Sequence, residues 1–394
     1  MRLPVAASRH FCLGSQTRGL ASVASRRLIL GIESSCDDSC ASVVCSDRTI
    51  LSSVVLRQDH QDTQGIHPLH AAQAHHRHVP VAIRQALDEA AVRLDDIDGI
   101  AVTQGPGMPG CLSVGMAAAK ALASVHSKPL VYVHHMHAHA LTPLLTEPTP
   151  PTFPFLTLLV SGGHTMLVLA HTLYRFQVLA NTLDDSIGNS FDKLARELEL
   201  GWQCASGALV EQLAATHPRG APLPPLPHIM LGQPSFSFSG LRSASTRLIQ
   251  AAGGASHLTT SAKAALAQAF QEAAFAPLED KVVRALSIDP RLRGWRLADS
   301  SPVPPTAIHS VVCSGGVASN AYLRERLRHA LDIGGRPDVA LHFPPVSLCV
   351  DNAAMIAWAG HLYWDDRTSD LTPHVVGKWP LDERRRRTSE SHAK

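Results

Sequence analysis

Two histidines spaced four residues apart, His135 and His139, are the residues of this sequence whose types and spacing first suggest chemistry. On an α-helix this spacing places both imidazoles on one face, where they can bind the same metal ion. Asp351 is a candidate third ligand because it opens a predicted helical segment at residues 351–362, and a carboxylate with two imidazoles suits iron, zinc or manganese. Because the chain contains 23 histidines, a chance pair at this spacing is an equally good explanation of the pattern alone.

Two glycine pairs, Gly162-Gly163 and Gly315-Gly316, follow short apolar runs. Glycine has no Cβ, so its backbone amide can approach a phosphate closely, and a helix that begins nearby adds a favourable dipole. A single pair is more often a plain hairpin turn. Two pairs at equivalent points of two similar halves favour a cleft that binds a nucleotide.

Asp192 and Lys193 follow residues 188–191 at the predicted start of a helix. A carboxylate at this place can accept hydrogen bonds from ribose hydroxyls, or it can simply cap the helix. Glu211 lies four residues after Gly207 on the next predicted helix, where it can share the ribose or be a solvated surface carboxylate. The pattern leaves both alternatives open.

The elements that must position these residues repeat a pattern of strand, polar turn and helix. The predicted strands lie at residues 28–32, 97–103, 129–133, 155–160, 166–170 and 310–313. The predicted helices lie at residues 112–124 and from about Ala321. Because the pattern restarts near residue 155, we expect an α/β protein of two similar halves, which suits a length of 394 residues. The Pro-rich residues 218–234 predict an insertion.

Composition excludes several broad classes of protein. The formal net charge is only +2, so any contact with RNA must come from local basic patches. The eight cysteines include no C-x-x-C pair, which argues against a disulfide framework and a common zinc site. No run approaches the roughly 18 apolar residues that would span a bilayer.

The N-terminal segment differs from the rest of the chain because it carries arginines and no acid before Glu33. This composition is typical of a mitochondrial transit peptide, and a disordered basic tail is the alternative. A secretory signal is disfavoured because Arg9 and Arg18 interrupt the apolar run that it would need.

Together these segments resemble the universal tRNA threonylcarbamoyladenosine transferase family, long labelled O-sialoglycoprotein endopeptidase-like, and its mitochondrial branch in particular. The resemblance covers nearly all of residues 28–381. The matching segments follow the family's order and are GIESSCDD at 31–38, GPGM at 105–108, VG at 114–115, AK at 119–120, HHM at 134–136, LVSGGHT at 159–165, FDK at 191–193, FSFSGL at 236–241, GGVASN at 315–320 and DNAAMI at 351–356.

The resemblance implies the two-lobed actin, Hsp70 and sugar-kinase fold, with two duplicated RNase H-like half-domains around a cleft. The corresponding division of the chain is a transit peptide at residues 1–27, an N-terminal lobe at 28–150 with a C-terminal helical part at 351–381, a second lobe at 151–350 with an insertion near 216–262, and a basic tail at 382–394.

The family's activity is implied with the fold. Its members accept threonylcarbamoyl-AMP and transfer the acyl group to N6 of adenosine 37, directly 3′ of the anticodon, with release of AMP. For this chain the resemblance implies mitochondrial tRNAs that read ANN codons, a homodimer, and the mitochondrial matrix.

The resemblance also assigns site residues. His135, His139 and Asp351 take the places of the metal ligands, for one iron or zinc ion per subunit. The implied adenylate contacts are Leu159, Val160, Ser161, Gly162 and Gly163 through backbone, with Asp192, Gly207, Glu211 and Asn320 around the ribose and base. Asp192 and Lys193 are the candidate catalytic residues.

Three departures from the family's motifs bear on individual residues. His137 replaces the family's usual Glu, residues 205–208 keep only Gly207 of a Pro-Gly-Gly-Pro turn, and residues 68–73 lose the family's charged pair. If residues 135–139 are helical, His137 lies about 200° around the helix from both candidate ligands. We therefore expect His137→Ala to keep the metal, and His139→Ala and Asp351→Ala to lose most of it.

Other functions fit parts of the same pattern. A zinc peptidase of the H-E-x-x-H kind needs a Glu directly after its first ligand, where this chain has Met136. A kinase or chaperone ATPase of the same fold holds magnesium through phosphates and carboxylates rather than imidazoles. A non-catalytic binding subunit has no need of all three candidate ligands.

Overall fold

The computed structural model describes residues 26–59, 66–201, 206–289, 291–292 and 294–383. Most of the predicted transit peptide, at residues 1–25, and the predicted basic tail from residue 384 lie outside these ranges. Within them, the strands are β1 (Leu28–Glu33), β2 (Ser39–Cys45), β3 (Ile50–Leu56), β4 (Gly99–Gly105), β5 (Leu130–His134), β6 (Phe155–Val160), β7 (Thr165–Thr172), β8 (Arg175–Thr182), β9 (Ser235–Phe236), β10 (Ser310–Ser314) and β11 (Ala340–His342).

The α-helices of the described residues lie between and after these strands. They are α1 (Pro68–Glu89), α2 (Pro109–Val125), α3 (His135–Leu141), α4 (Pro143–Thr146), α5 (Ile187–Glu197), α6 (Gly207–Ala214), α7 (Ser239–Ala251), α8 (Thr260–Leu286), α9 (Ala321–Ile333), α10 (Val346–Cys349) and α11 (Ala353–Leu362).

The strands form two sheets that share a five-strand topology, and the second sheet has one more strand, β9, paired in parallel with β8. The first has the order β3-β2-β1-β4-β5, and the second has the order β11-β10-β6-β7-β8-β9. In each sheet three consecutive strands form an antiparallel meander, and two later strands are added in parallel beside its first strand. The predicted α/β fold with two duplicated halves is confirmed by this repeated strand order.

The layers of the molecule follow from which faces are apolar. Helices α1 and α2 cover one face of the first sheet, and helices α5 to α9 cover the outer face of the second. A third cluster, which contains Ile29, Leu159 and Ile356, lies between the sheets together with α3 and α11. The central strands are buried on both faces, which explains why β1, β5 and β6 are nearly continuous apolar runs.

Helix α11 packs unusually close to the first sheet. A Cβ at Gly31 would lie 2.3 Å from the carbonyl oxygen of Ala353, so β1 and α11 touch through backbone. The predicted helix at 351–362 begins two residues later than expected, because the side chain of Asn352 accepts a hydrogen bond from the Met355 amide and caps α11.

Residues 367–383, which we call the C-terminal strap, run back along the first sheet. Thr368 bridges Leu130 at the sheet edge. The strap's backbone carbonyls at residues 370, 373 and 374 then accept hydrogen bonds from the side chains of Tyr132, Lys120 and Gln104 at 2.7, 2.6 and 2.9 Å. No helix in the described residues has the length and apolar character needed to cross a membrane.

Candidate metal centre and adenylate cleft

The two histidines of the predicted metal pair lie on α3, which begins directly after β5. His134, the last residue of β5, caps this helix because its Nδ1 accepts from the backbone amides of Met136 and His137 at 3.2 and 3.4 Å. Residues 135–139 are helical, as expected, so His135 and His139 lie one turn apart on one face.

His135, His139 and Asp351 bring their donor atoms together. Oδ1 of Asp351 lies 3.2 Å from Nε2 of His139 and 3.4 Å from Nε2 of His135. In the described part of the chain these three residues form a group whose candidate ligand atoms all lie within 4.8 Å of one another. Both histidines are buried, whereas the Asp351 side chain is 26% exposed, so the group can be reached from solvent.

Glu33, at the end of β1, contacts Nδ1 of His135, whereas Nε2 of the same ring faces Asp351. Its Oε2 lies 3.0 Å from Nδ1 of His135 and accepts from the Thr103 hydroxyl at 2.5 Å. A carboxylate at the Nδ1 side is the usual partner of a metal-binding imidazole, because it orients the ring and leaves Nε2 for the ion. Glu33 has no role among the residues predicted from sequence, although a charged residue at the end of an apolar strand is a signal for one.

The electrostatics of the group favour positive charge. Burial alone would lower the pKa of His135, but Glu33 and Asp351 outweigh burial and raise that pKa well above its usual value. Burial would likewise raise the pKa of Asp351, but His135 and His139 hold it well below its usual value. Carboxylates that hold a proton on a buried imidazole also attract a cation.

These residues fit a divalent metal ion. Two imidazole nitrogens and one carboxylate oxygen converge, and this set is typical of iron and zinc sites.

His164, in the second half of the molecule, interacts electrostatically with this group. Burial, and then the nearby His135 and His139, lower the pKa of His164 to about 4, so its imidazole is neutral at neutral pH. His164 belongs to the turn that contains Gly162 and Gly163. Helix α3, which carries both candidate histidine ligands, packs against β6, the strand that leads into this turn.

The turn between β6 and β7 is a hairpin whose tip is open. Val160 pairs with Thr165, and the Ser161 amide donates to the His164 carbonyl at 2.8 Å. Gly162 and Gly163 are exposed, and no described atom lies within 4 Å of the Cβ position of either. A ligand can therefore approach their backbone.

Leu159 and Val160, the two remaining backbone contacts of the prediction, are buried at the end of β6. Leu159 pairs with β7 on one side and with β10 on the other. The backbone that is open to a ligand is therefore that of Gly162 and Gly163.

The second glycine pair has a different structural role. Gly315 has a φ of +101°, and a Cβ there would lie 2.3 Å from the carbonyl oxygen of Val160. Only glycine lets the ends of β10 and β6 approach in this way. A 3-10 turn, Gly316–Ser319, separates this pair from α9, so the predicted order of strand, glycine pair and helix is confirmed with one turn more than expected.

Asp192 lies in the middle of α5, so the prediction that it starts a helix is wrong. Helix α5 begins at Ile187, because the Ser186 hydroxyl accepts from the Asn189 amide at 3.3 Å and caps it. Oδ1 of Asp192 instead accepts from the amide of Gly207, the first residue of α6, at 2.9 Å. Asp192 thus caps the next helix.

Glu211 and Asn320 continue this arrangement at the start of α9. Oε1 of Glu211 accepts from the Ala321 amide at 2.8 Å, and Oδ1 of Asn320 accepts from the Leu323 amide at 2.9 Å. The Asn320 amide group also donates to Gln271 at 2.9 Å. The residues predicted around the ribose therefore meet at the starts of α6 and α9, where helix dipoles favour an anion.

Lys193 is paired with a neighbouring carboxylate. Its Nζ lies 2.6 Å from Oδ2 of Asp185, and the Lys193 side chain is 26% exposed. The predicted catalytic role of this ammonium group therefore requires its release from Asp185.

Comparison with known proteins identifies the family. The profile of TsaD, tRNA N6-adenosine threonylcarbamoyltransferase, matches residues 49–358. A protein of that name from Sphingopyxis alaskensis is 40% identical over 359 residues, which cover 90% of this chain and 96% of the relative. The Arabidopsis thaliana protein named "Probable tRNA N6-adenosine threonylcarbamoyltransferase, mitochondrial" is 37% identical over 380 residues, which cover 90% of this chain and 75% of that protein.

Solved structures support the fold. The crystal structure of T. kodakarensis HypF aligns with 86% of this chain and 48% of its own chain, with a TM-score of 0.55 and 13% sequence identity. At this identity the likeness shows the fold alone. It agrees with the two-lobed fold of the actin, Hsp70 and sugar-kinase class that the two sheets indicate. With 40% identity to a full-length relative and a profile match across most of its length, this chain belongs to the TsaD family of tRNA N6-adenosine threonylcarbamoyltransferases, acyltransferases that modify tRNA.

Proposed function

We propose that this chain transfers threonylcarbamoyl from threonylcarbamoyl-AMP to N6 of adenosine 37 in mitochondrial tRNAs that read ANN codons, and that AMP is released. The observation that carries this proposal is that His135, His139 and Asp351 bring their donor atoms together, and that the helix with both histidines packs against β6, the strand that leads into the open turn at Gly162 and Gly163. A metal ion can stabilise charge on an acyl oxygen, and open backbone amides can bind a phosphate. Together they suit a substrate in which an acyl group is attached to a phosphate.

The reaction exchanges one bond at the carbamoyl carbon for another. N6 of the adenosine attacks that carbon, a C–N bond forms, and the bond from the carbon to the phosphate oxygen breaks. The oxygen keeps the electron pair and leaves as part of AMP, while N6 loses a proton. Negative charge therefore grows on the carbamoyl oxygen and on the departing phosphate.

The residues of this chain divide these tasks between the two halves. We assign the backbone of Gly162 and Gly163, at the open tip of the turn, to the phosphate. Asp192, Gly207, Glu211 and Asn320 lie around the starts of α6 and α9 and are assigned to the ribose and base. His135, His139 and Asp351 are assigned to one iron or zinc ion, which would supply Lewis-acid stabilisation of the developing charge. Glu33 orients His135 for that ion.

The cellular setting of the proposal rests on the N-terminal arginines and on the relative with a mitochondrial name. We place the enzyme in the mitochondrial matrix. We further propose that it acts as a homodimer on tRNA.

The proposal is tested by incubating the purified protein with threonylcarbamoyl-AMP and unmodified tRNA. After digestion to nucleosides, mass spectrometry should detect N6-threonylcarbamoyladenosine, and AMP should appear in equal amount. Asp351→Asn, which keeps the shape of the side chain and removes its charge, is the control and should form much less product. Release of ADP from ATP without modified nucleoside would instead support a kinase or ATPase, and cleavage of peptides would support a peptidase.

A further inference from the structure

The last described residues of the C-terminal strap contact the face of α3 that lies away from the candidate metal ligands. Nε2 of His134 lies 3.2 Å from the carbonyl oxygen of Trp379, and Nε2 of His137 lies 2.9 Å from the carbonyl oxygen of Leu381. A carbonyl oxygen can only accept a hydrogen bond, so both histidines carry a proton on Nε2.

The proton position on His134 matters for α3. With the proton on Nε2, Nδ1 of the neutral ring is an acceptor, and it receives the amides of Met136 and His137 at the start of the helix. If the proton moved to Nδ1, this cap would be lost. The Trp379 carbonyl therefore selects the tautomer that holds the first turn of the metal-binding helix.

His137, one helical turn after His134, makes the second contact between α3 and the strap. Its side chain is buried, its ring stacks between those of His134 at 4.3 Å and Phe176 at 4.2 Å, and the Tyr363 hydroxyl lies 3.4 Å from its Nδ1. His135 and His139 point from the opposite face of α3 toward Asp351. The strap therefore contacts the face of α3 opposite the face that carries His135 and His139.

The strap is itself fixed before it reaches α3. In addition to the side chains of Tyr132, Lys120 and Gln104, the backbone amide of Val376 donates to the Gln104 carbonyl at 2.8 Å. The Gly107 amide donates to the Gly377 carbonyl at 3.1 Å. A segment anchored in this way can set the position of α3 relative to the first sheet, which carries Glu33.

We propose that the C-terminal strap positions the metal helix, and that His137 is a positioning residue rather than a ligand. The carbonyls of Trp379 and Leu381 hold His134 and His137 so that His135 and His139 face Asp351 at the right distance for one ion. The inference rests on the metal centre of the proposed function. The imidazole of His137 suits this role because its Nε2 can donate to the Leu381 carbonyl.

The experiment measures the affinity of the dialysed protein for Zn²⁺ by titration against a competing chelator. Two substitutions of similar size are compared: His137→Gln keeps an N–H donor near the Nε2 position, and His137→Leu removes it. Two truncations form a second pair: a chain that ends at Lys378 loses the contacts of Trp379 and Leu381, and a chain that ends at Glu383 keeps them. AMP affinity is measured for every variant as a check that the second half is folded.

We expect His137→Leu and the chain that ends at Lys378 to bind Zn²⁺ about 10-fold more weakly than the wild type, with one ion per chain at saturation. His137→Gln and the chain that ends at Glu383 should bind within about twofold of the wild type, and AMP affinity should not change. Wild-type Zn²⁺ affinity in both His137→Leu and the chain that ends at Lys378 would overturn the proposal. Failure of His137→Leu to bind any Zn²⁺ at saturation would also overturn it, because His137 would then be a ligand.

The proposed function has a separate readout. A wild-type protein that binds Zn²⁺ no better than His135→Ala would overturn the metal centre and the strap proposal with it. A wild type that binds Zn²⁺ as expected but forms no modified nucleoside would contradict the proposed function alone and leave the positioning effect measurable.

Discussion

The carboxyl groups of Glu33, Asp38 and Asp351 have different pKa values because their neighbours differ. Burial would raise the pKa values of Glu33 and Asp351, but His135 lowers that of Glu33, and His135 and His139 lower that of Asp351. Burial raises the pKa of Asp38 to about 7, and the charges of Asp37 and Asp351 add to this effect. Asp38 therefore holds a proton into the neutral range, which limits the negative charge of the site.

This difference predicts a pH dependence of stability. The folded protein binds the Asp38 proton more tightly than the unfolded chain, in which a carboxyl group has a pKa of about 3.9. The contribution of this proton to stability is complete below about pH 4 and is lost as the pH rises to about 7. Relative to wild type, the free energy of unfolding of Asp38→Asn should therefore increase over this interval and then stay constant. Denaturant unfolding between pH 4.5 and 9 measures it, and a difference independent of pH would contradict the raised pKa.

Asp192 combines a structural and a proposed binding role, and these can be separated. Asp192→Ala should weaken AMP binding by about 10- to 100-fold if hydrogen bonds from the ribose to a charged acceptor are lost, which is about 1.5–3 kcal/mol. It should also lower the free energy of unfolding by about 1 kcal/mol, because the Gly207 amide loses its acceptor. Calorimetric titration and denaturant unfolding measure the two effects, with Asp192→Asn, which keeps an acceptor, as the control. A stability loss without an affinity loss would leave only the capping role.

At the level of single residues, the sequence predicted partners that lie near each other along the chain better than distant ones. The spacing of His135 and His139 was sufficient to predict a shared helix face. Asp351 lies 212 residues from His139, so only resemblance to the family could connect them. Glu33 was missed for the same reason, because its contact with His135 spans 102 residues.

Among the elements, the two glycine turns differ in whether they leave room for a Cβ atom: Gly315 does not, and Gly162 does. Gly315→Ala should lower the free energy of unfolding by about 2–4 kcal/mol, because a left-handed φ and a contact with the Val160 carbonyl both oppose a Cβ. Gly162→Ala should change stability by no more than about 0.5 kcal/mol, since its Cβ position is open. It should instead weaken AMP binding about tenfold if a phosphate approaches this turn. Thermal unfolding and AMP titration of both variants test this contrast, and unchanged AMP affinity in Gly162→Ala would count against the phosphate contact.

The predicted strands were nearly correct because buried strands of this fold are apolar runs with polar ends, such as β1 and β6. The start of α5 was predicted too late, since Ser186 was not recognised as its cap. The strap residues were predicted to continue a helical part at 351–381, and this prediction is wrong, because α11 ends at Leu362 and residues 367–383 are not helical. The strap is held by its backbone carbonyls, and the side chains that bind them lie on distant elements of the first sheet.

For the whole molecule, the arginine-rich N-terminal segment predicts import into mitochondria. A fluorescent reporter fused to residues 1–32 should enter the matrix, because these residues carry five arginines and no acid before Glu33. Fluorescence microscopy and protease protection of isolated mitochondria measure the outcome. The same fusion with the five arginines replaced by glutamine should stay in the cytosol, and a cytosolic signal from the unmodified segment would contradict the prediction.

The first sheet is completed by the end of the chain, and this has a consequence for synthesis. Its strands β1 to β5 are made early, yet α11, which covers one of its faces, and Thr368, which pairs with its edge, are made late. The roughly 320 residues between β1 and α11 take on the order of 15–60 s to translate at about 5–20 residues per second. The second sheet is continuous in sequence and can close during this interval. The half that leaves the ribosome first is therefore completed last, and its apolar face, which includes Ile29, Val44 and Ala101, cannot be covered by α11 until the C-terminal part of the chain emerges.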